Sequence, residues 1–191
     1  MSASDVLQRV TSALNQADIP YMLSGSFASA FYGASRSTRD IDIVIEATPE
    51  QMRSLVQALP TDHYYVELNS ALEALRQESM FNVIDQKSGW KIDLIIRKSR
   101  PFSLKEFSRR QLVKLDNVPL YIASAEDIVI SKLEWAKLGQ SHRQIEDIAG
   151  ILQVQWKSMD REYIREWITE LGLGKEWNDA RVLAGIDESN L

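Results

Sequence analysis

The chain has 191 residues, and its 45% hydrophobic and 26% charged residues are the composition of a globular protein rather than a disordered one. It contains no cysteine and only two histidines, which excludes thiol catalysis and leaves too few ligands for a typical zinc site, so any catalysis falls to carboxylates. A net charge of -5 argues against a protein that coats nucleic acid through bulk electrostatics, and with no apolar stretch near the ~20 residues that cross a bilayer we expect a cytoplasmic protein without membrane contact.

The amino-terminal part of the chain alternates between helical and extended patterns that are separated by turn residues. Ser4 is the expected N-cap of the first helix, and Thr48 with Gln51 forms a capping-box pattern before the third. The pattern over residues 71–76 is ambiguous. The predicted elements are helices over residues 4–17, 27–32 and 49–59, strands over residues 21–23, 40–45 and 63–68, and antiparallel hairpins over residues 81–96 and 112–123.

Three aspartates stand out within these predicted strands. Asp40 and Asp42 are separated by one residue, so an extended backbone turns both side chains to the same face. Like charges in that arrangement repel unless a cation lies between them, and Mg²⁺ prefers carboxylate oxygens. Asp93 lies in the second strand of the first hairpin and could supply a third ligand. An Asp-x-Asp pattern alone is more often a solvated strand face, so the interpretation depends on the combination.

Two further features stand close to the first two aspartates in the sequence. Gly25 and Ser26 form a turn before a helix, where free backbone amides favour a phosphate, although an ordinary N-cap is the simpler interpretation. The stretch Arg36-Ser37-Thr38-Arg39 is cationic and could reach a triphosphate, or it could be an exposed loop. Together with the aspartates, these residues predict a nucleotide site that uses a divalent metal.

Near Ser124 the pattern changes from mixed to helical. Ser124 and Asp127 form another capping-box pattern, and Trp135 has the apolar spacing of a core residue rather than of one that stacks on a base. Helices are predicted over residues 125–139, 141–152, 160–171 and 177–183. We therefore expect an α/β domain over residues 1–123 and a helical domain over residues 124–191 that closes over a cleft.

The Gly25-Ser26 turn, the Arg36-Ser37-Thr38-Arg39-Asp40-Ile41-Asp42 segment and the later Asp93 resemble the pattern of the nucleotidyltransferase superfamily related to DNA polymerase beta. The helical segment from Lys132 to Ile148 is similar to that of bacterial nucleotidyltransferases of the AbiEii type, some of which are toxins of toxin-antitoxin pairs. The resemblance covers about residues 20–152. It implies an α+β nucleotidyltransferase fold, with a mixed and largely antiparallel sheet flanked by helices and followed by a C-terminal helical domain.

The resemblance also implies a role for each matching residue. Asp40, Asp42 and Asp93 would be the catalytic residues and the ligands of about two Mg²⁺ ions, for which Mn²⁺ could substitute, and an NTP would be the substrate. For Arg143 and Asp147, an ordinary ion pair between residues i and i+4 is nearly as good an explanation. The residues expected to contact the nucleotide are Gly25, Ser26, Arg36, Thr38, Arg39, Lys132, Arg143 and Asp147.

The activity that the resemblance implies is transfer of a nucleoside monophosphate from an NTP to an acceptor hydroxyl, with release of pyrophosphate. A tRNA 3′ end or a protein is the favoured acceptor, and the protein would then be a toxin or abortive-infection factor with an antitoxin as a partner. Two alternatives stay open: a nucleotidyltransferase for an aminoglycoside-like antibiotic, and a noncatalytic module of the same fold that binds a nucleotide or a partner.

Overall fold

The computed structural model describes residues 2–34, 38–139 and 141–187. The strands are β1 (Tyr21–Ser24), β2 (Asp40–Ile45), β3 (Tyr64–Tyr65), β4 (Met80–Asp85), β5 (Lys91–Ile96), β6 (Gln111–Leu115) and β7 (Val118–Ile122). The helices are α1 (Ala3–Gln16), α2 (Gly25–Phe31), α3 (Pro49–Ala58), α4 (Leu68–Gln77), α5 (Pro101–Ser108), α6 (Ala125–Gly139), α7 (His142–Gln155), α8 (Arg161–Leu171) and α9 (Gly174–Ala184). No helix within these residues is both long and apolar enough to cross a membrane.

All seven strands join one sheet in the order β3-β4-β5-β2-β1-β7-β6. The pairs β3–β4, β4–β5, β2–β1 and β7–β6 are antiparallel, whereas β5–β2 and β1–β7 are parallel. Between β2 and β5 the chain passes through α3, β3, α4 and β4, so two strands that are distant in sequence become neighbours at the centre of the sheet. The predicted α+β class with a mixed, largely antiparallel sheet is therefore confirmed.

One face of the central strands is apolar and buried. On β2 and β5 it presents only aliphatic side chains, all of them in the core: Ile41, Ile43, Ile45, Ile92, Leu94 and Ile96. Helix α1 lies over the same face at β4, where Nη2 of Arg9 in α1 donates to Oδ2 of Asp85 in β4 at 2.8 Å. The alternation of an extended chain therefore leaves the opposite face for the polar residues of β2 and β5.

Most predicted helix starts and hairpins agree with the structure. The Thr48–Gln51 capping box is present, and so is the turn at Asp116-Asn117 between β6 and β7, where both residues have positive φ. The N-cap of α1 is Ser2 instead of Ser4, because Ser2 and Asp5 cap each other reciprocally with bonds of 2.9 and 3.2 Å.

Two local predictions between α3 and β4 need correction. The strand expected over residues 63–68 is limited to β3, and the ambiguous stretch over residues 71–76 belongs to α4. The reason is the burial of Ala71 and Ala74, three residues apart on one helix face, which draws the chain from Leu68 onward into a helix.

By its internal contacts the chain divides into two compact units. The first comprises Met1–Ser24 and Thr38–Ala123 and contains the whole sheet. The second comprises Gly25–Ser37 and Ser124–Leu191. Within the second unit, α2 packs against α6 and α7, and the domains expected over residues 1–123 and 124–191 stay a prediction.

Gly150 explains how closely the segment after α2 approaches α7 within the second unit. A Cβ atom on Gly150 would lie 3.2 Å from the Cα atom of Ala34, so a side chain there would push the two segments apart.

Trp135 of α6, predicted to pack in the core, is instead 65% exposed. The apolar face of α6 is formed by other residues, among them Ile128, Val129 and Leu133.

We expect Gly33→Ala to destabilise the second unit by about 2–3 kcal/mol, since Gly33 has φ of 121° and a Cβ atom would lie 2.6 Å from Cγ2 of Val154. Urea-induced unfolding of the whole chain measures the effect. Gly174→Ala is the matched control, because no described atom lies within 4 Å of its added Cβ. Equal unfolding midpoints for the two variants would contradict the proposed close packing of α2 on α7.

Candidate functional site

The three predicted aspartates lie on one face of the sheet in the first unit. The parallel pairing of β2 with β5 makes Asp42 the direct partner of Asp93, and it makes Asp40 the partner of Lys91. Paired residues on neighbouring strands point to the same face, as do residues i and i+2 of one strand. We call Asp40, Asp42 and Asp93 the carboxylate cluster, and Lys91 shares its face.

The flanking strands extend this polar row across the sheet. Antiparallel pairing sets Ser24 of β1 opposite Asp42, and it sets Asn82 of β4 opposite Asp93. A continuous row of Asn82, Asp93, Asp42 and Ser24 therefore crosses four strands. Ser24 is the last residue of β1, so the chain leaves the sheet at this row.

Asp93 is the most enclosed member of the cluster, with 6% of its surface exposed, whereas Asp42 is half-buried and Asp40 is exposed. The two carboxylate oxygens of Asp93 have different partners. Lys91 Nζ donates to Oδ2 at 2.9 Å, and the side-chain amide of Asn82 donates to Oδ1. The hydrogen bond to Asp93 raises the pKa of Lys91 in spite of partial burial, and the charges of Asp93, Asp40 and Asp42 act in the same direction. Lys91 is therefore a positively charged partner of the cluster.

The donor set of the cluster suits a divalent metal ion. Three carboxylates on one face are hard oxygen ligands of the kind that Mg²⁺ prefers, and they have one ammonium group, that of Lys91, among them. In the arrangement seen, however, no three histidine, aspartate or glutamate side chains of the described residues are gathered closely enough to hold a metal. The residues fit a metal by type and by face, and the ammonium of Lys91 lies at Oδ2 of Asp93.

The predicted phosphate-contacting residues are distributed between the two units. In the second unit, Gly25 begins α2 with φ of 62°, a conformation that favours glycine, and its carbonyl accepts a 2.7 Å bond from Ser29 Oγ. Ser26 follows within the same seven-residue helix. In the first unit, Thr38 Oγ1 accepts a 3.1 Å bond from the backbone N–H of Asp40, which fixes the start of β2. Contact of these residues with a nucleotide stays a prediction.

The two arginines of the cationic stretch differ in what the structure describes. Arg39 is exposed immediately before β2, where its backbone carbonyl accepts a bond from the N–H of Lys91. Arg36 lies outside the described residues. Neither side chain therefore has an observed role at the carboxylate cluster.

The helical residues predicted to contact nucleotide lie in the second unit, where two of them, Lys132 and Asp147, contact each other. Lys132 of α6 donates to Asp147 Oδ2 at 2.7 Å and to Gln144 Oε1 at 2.9 Å, and both Lys132 and Asp147 are buried. Arg143 is exposed and lines a cleft of about 430 Å³ with Glu146. The buried pair gives Lys132 and Asp147 a structural role between α6 and α7, and their contact with nucleotide stays a prediction.

Sequence reasoning missed Lys91 and Asn82 as members of the site. The signal for Lys91 was available, because it stands two residues before Asp93 in the same predicted strand and therefore shares its face. Asn82 carried no such signal, since its place opposite Asp93 depends on the exact register of the β4–β5 hairpin.

The match to a family model, rather than the fold alone, places this protein in the class of nucleotidyltransferases. The chain belongs to the family described as "Nucleotidyltransferase of unknown function (DUF6036)", whose model matches residues 4–182. No curated protein matches the chain in sequence.

Several solved structures share the fold at low sequence identity. An antigenic nucleotidyltransferase-like protein from Paracoccidioides brasiliensis is 15% identical with a TM-score of 0.60, and the match covers 96% of this chain and 92% of that one. ANT(2")-Ia in complex with adenylyl-2"-tobramycin is 13% identical with a TM-score of 0.53, covering 97% and 98%. The lincosamide antibiotic adenylyltransferase LnuA, bound to lincomycin, is 12% identical with a TM-score of 0.53, covering 79% and 98%. At these identities the likeness shows the fold.

We expect Lys132→Met to lower the free energy of unfolding by about 3 kcal/mol, because it leaves the buried Asp147 carboxylate without its ammonium partner. The double variant Lys132→Met/Asp147→Leu should recover most of that loss, since it removes both charges. Urea-induced unfolding measures both variants.

Lys175→Met is the control for the general loss of a lysine, because Lys175 pairs with Asp179 at the surface and exposed pairs contribute less than about 1 kcal/mol. An unchanged midpoint for Lys132→Met would refute the structural role and favour a lysine that serves the nucleotide.

Proposed function

We propose that the protein transfers a nucleoside monophosphate from an NTP to an acceptor hydroxyl and releases pyrophosphate, in a reaction that depends on Mg²⁺. The observation that carries the proposal is the in-register pairing of β2 with β5, which sets Asp42 beside Asp93 and keeps Asp40 on the same face. Membership of a nucleotidyltransferase family supports the same reaction type.

Each carboxylate has its own part in this proposal. Asp40 and Asp42 would hold about two Mg²⁺ ions, and Asp93 would hold one of them and accept the proton of the attacking hydroxyl. When bound, the ions would neutralise the triphosphate and acidify the hydroxyl, and Mn²⁺ could replace them. Asn82 would keep Asp93 in orientation through its bond to Oδ1. The burial of Asp93 protects it from water and suits a group that has to meet one proton in a fixed place.

The residues around the start of β2 would hold the triphosphate. Thr38 already orders the backbone at Asp40, and the exposed Arg39 next to it offers a positive charge to phosphate oxygens. We extend the same role to Arg36, and to Gly25 and Ser26 through their backbone amides. Arg143 is the candidate among the helical residues, since it is exposed.

The acceptor class is the open part of the proposal. The AbiEii-type resemblance of the helical segment favours a tRNA 3′ end or a protein hydroxyl, with a toxin role and an antitoxin partner. Two fold neighbours are seen with antibiotics, ANT(2")-Ia with adenylyl-2"-tobramycin and LnuA with lincomycin, which gives a small antibiotic as the second candidate. The carboxylates at the site and the net charge of -5 restrict any RNA contact to a local basic patch.

We expect Asp42→Asn to slow label transfer from an α-labelled NTP by about 100-fold or more, because the variant keeps the shape of the side chain and removes a metal-binding charge. Three acceptor pools are compared in Mg²⁺: total tRNA, total cell protein, and a panel of aminoglycosides and lincosamides. The pool that takes the label identifies the acceptor class. Chelation of the metal should stop transfer, and added Mg²⁺ should restore it.

Asp179→Asn is the matched control, since Asp179 is a surface residue of α9 in the second unit and its substitution changes the net charge equally. It should transfer label at the rate of the unmodified protein. Nucleotide binding without turnover in every pool, equal for the unmodified protein and Asp42→Asn, would refute the enzyme and favour the noncatalytic module.

A further inference from the structure

Lys91 has no part in the proposed reaction, yet it shares the face of the carboxylate cluster and contacts Asp93. Its ammonium contacts Asp93 Oδ2 at 2.9 Å, and its strand position pairs it with Asp40. The charges of all three cluster members act on it. Lys91 is therefore a cation that offsets the repulsion among the three carboxylates.

The two partners of this ion pair differ in their freedom to move. The Asp93 side chain is buried, and Asn82 holds its other oxygen. The Lys91 side chain is 42% exposed, so it can turn to solvent at small cost and become hydrated there. Any exchange of partners at Asp93 should therefore move the lysine and leave the carboxylate in place.

We propose that Lys91 is a resident counter-ion of the carboxylate cluster, and that a divalent metal has to displace it from Asp93 before the site can be loaded. This inference rests on the proposed function, because it assumes that Asp93 is a metal ligand. The ammonium and the metal would compete for the same oxygen, Oδ2, and they repel each other at that distance. Lys91 is thus a positioning residue that keeps the cluster stable without metal and weakens metal binding.

The same competition accounts for the arrangement of the cluster. The described carboxylates are not gathered closely enough to hold a metal, and the member with the least exposure is the one that the lysine holds. Removal of the ammonium would leave Asp93 without this partner and would remove a positive charge from the face of all three carboxylates, so the cluster would gain more from a divalent ion than it does now.

The test measures Mn²⁺ binding without nucleotide, by the loss of the free Mn²⁺ signal in electron paramagnetic resonance. We expect Lys91→Met to bind Mn²⁺ about five- to ten-fold more tightly than the unmodified protein, because no paired ammonium has to leave. Lys175→Met removes a lysine with a surface partner, Asp179, and should stay within about two-fold of the unmodified protein. Asp42→Asn should lose the binding, which locates the ion at the cluster.

A second measurement uses the unmodified protein and does not depend on the folding of a variant. Acetylation of lysines followed by mass spectrometry should show that Mg²⁺ raises the reactivity of Lys91 and leaves that of Lys175 unchanged. If the unmodified protein binds Mn²⁺ but Lys91→Met binds it equally or more weakly, or if Mg²⁺ leaves Lys91 unreactive, the displacement is refuted and the proposed function stands. If neither protein binds Mn²⁺, both proposals fail.

Discussion

The site depends on the register in which β2 and β5 pair in parallel. A slip of one residue would turn Asp42 and Asp93 to opposite faces, and it would bring the aliphatic residues of the buried face out of the core. Each buried isoleucine or leucine contributes roughly 1.5–3 kcal/mol relative to exposure, so the apolar face has far more stabilisation at stake than the polar one. The hydrophobic core thus holds the carboxylates together, although they repel each other.

The polar face is arranged to tolerate that repulsion. Lys91 and Asn82 each take one oxygen of Asp93, while Asp40 and Asp42 keep access to water. These partners reduce the repulsion at Asp93. The fold itself is shared with proteins that are only 12–15% identical, so the chemistry has to be argued from these residues rather than from the fold.

The features that could be predicted from the sequence are those that depend on residues close together in the chain. The alternation of β2 and the capping box at Thr48 are local patterns, and the structure has both. The Lys132–Asp147 pair joins two helices and had no local signal. The association of α2 with α6 and α7 depends on the close approach of two backbones at Gly150. The spacing of apolar residues in the sequence carries no information about such an approach. The alternation of β5 also places Lys91 on the face of Asp93, but a search for acidic residues alone does not find their positively charged partner.

The most direct test of the carboxylate cluster as a metal-nucleotide site is a crystal structure with Mn²⁺ and a non-hydrolysable NTP analogue, in which anomalous scattering locates the metal. We expect an anomalous peak within bonding distance of both Asp42 and Asp93, with Lys91 turned away from Asp93 Oδ2. A peak elsewhere on the protein, with the Lys91–Asp93 pair intact and the analogue bound, would contradict the account.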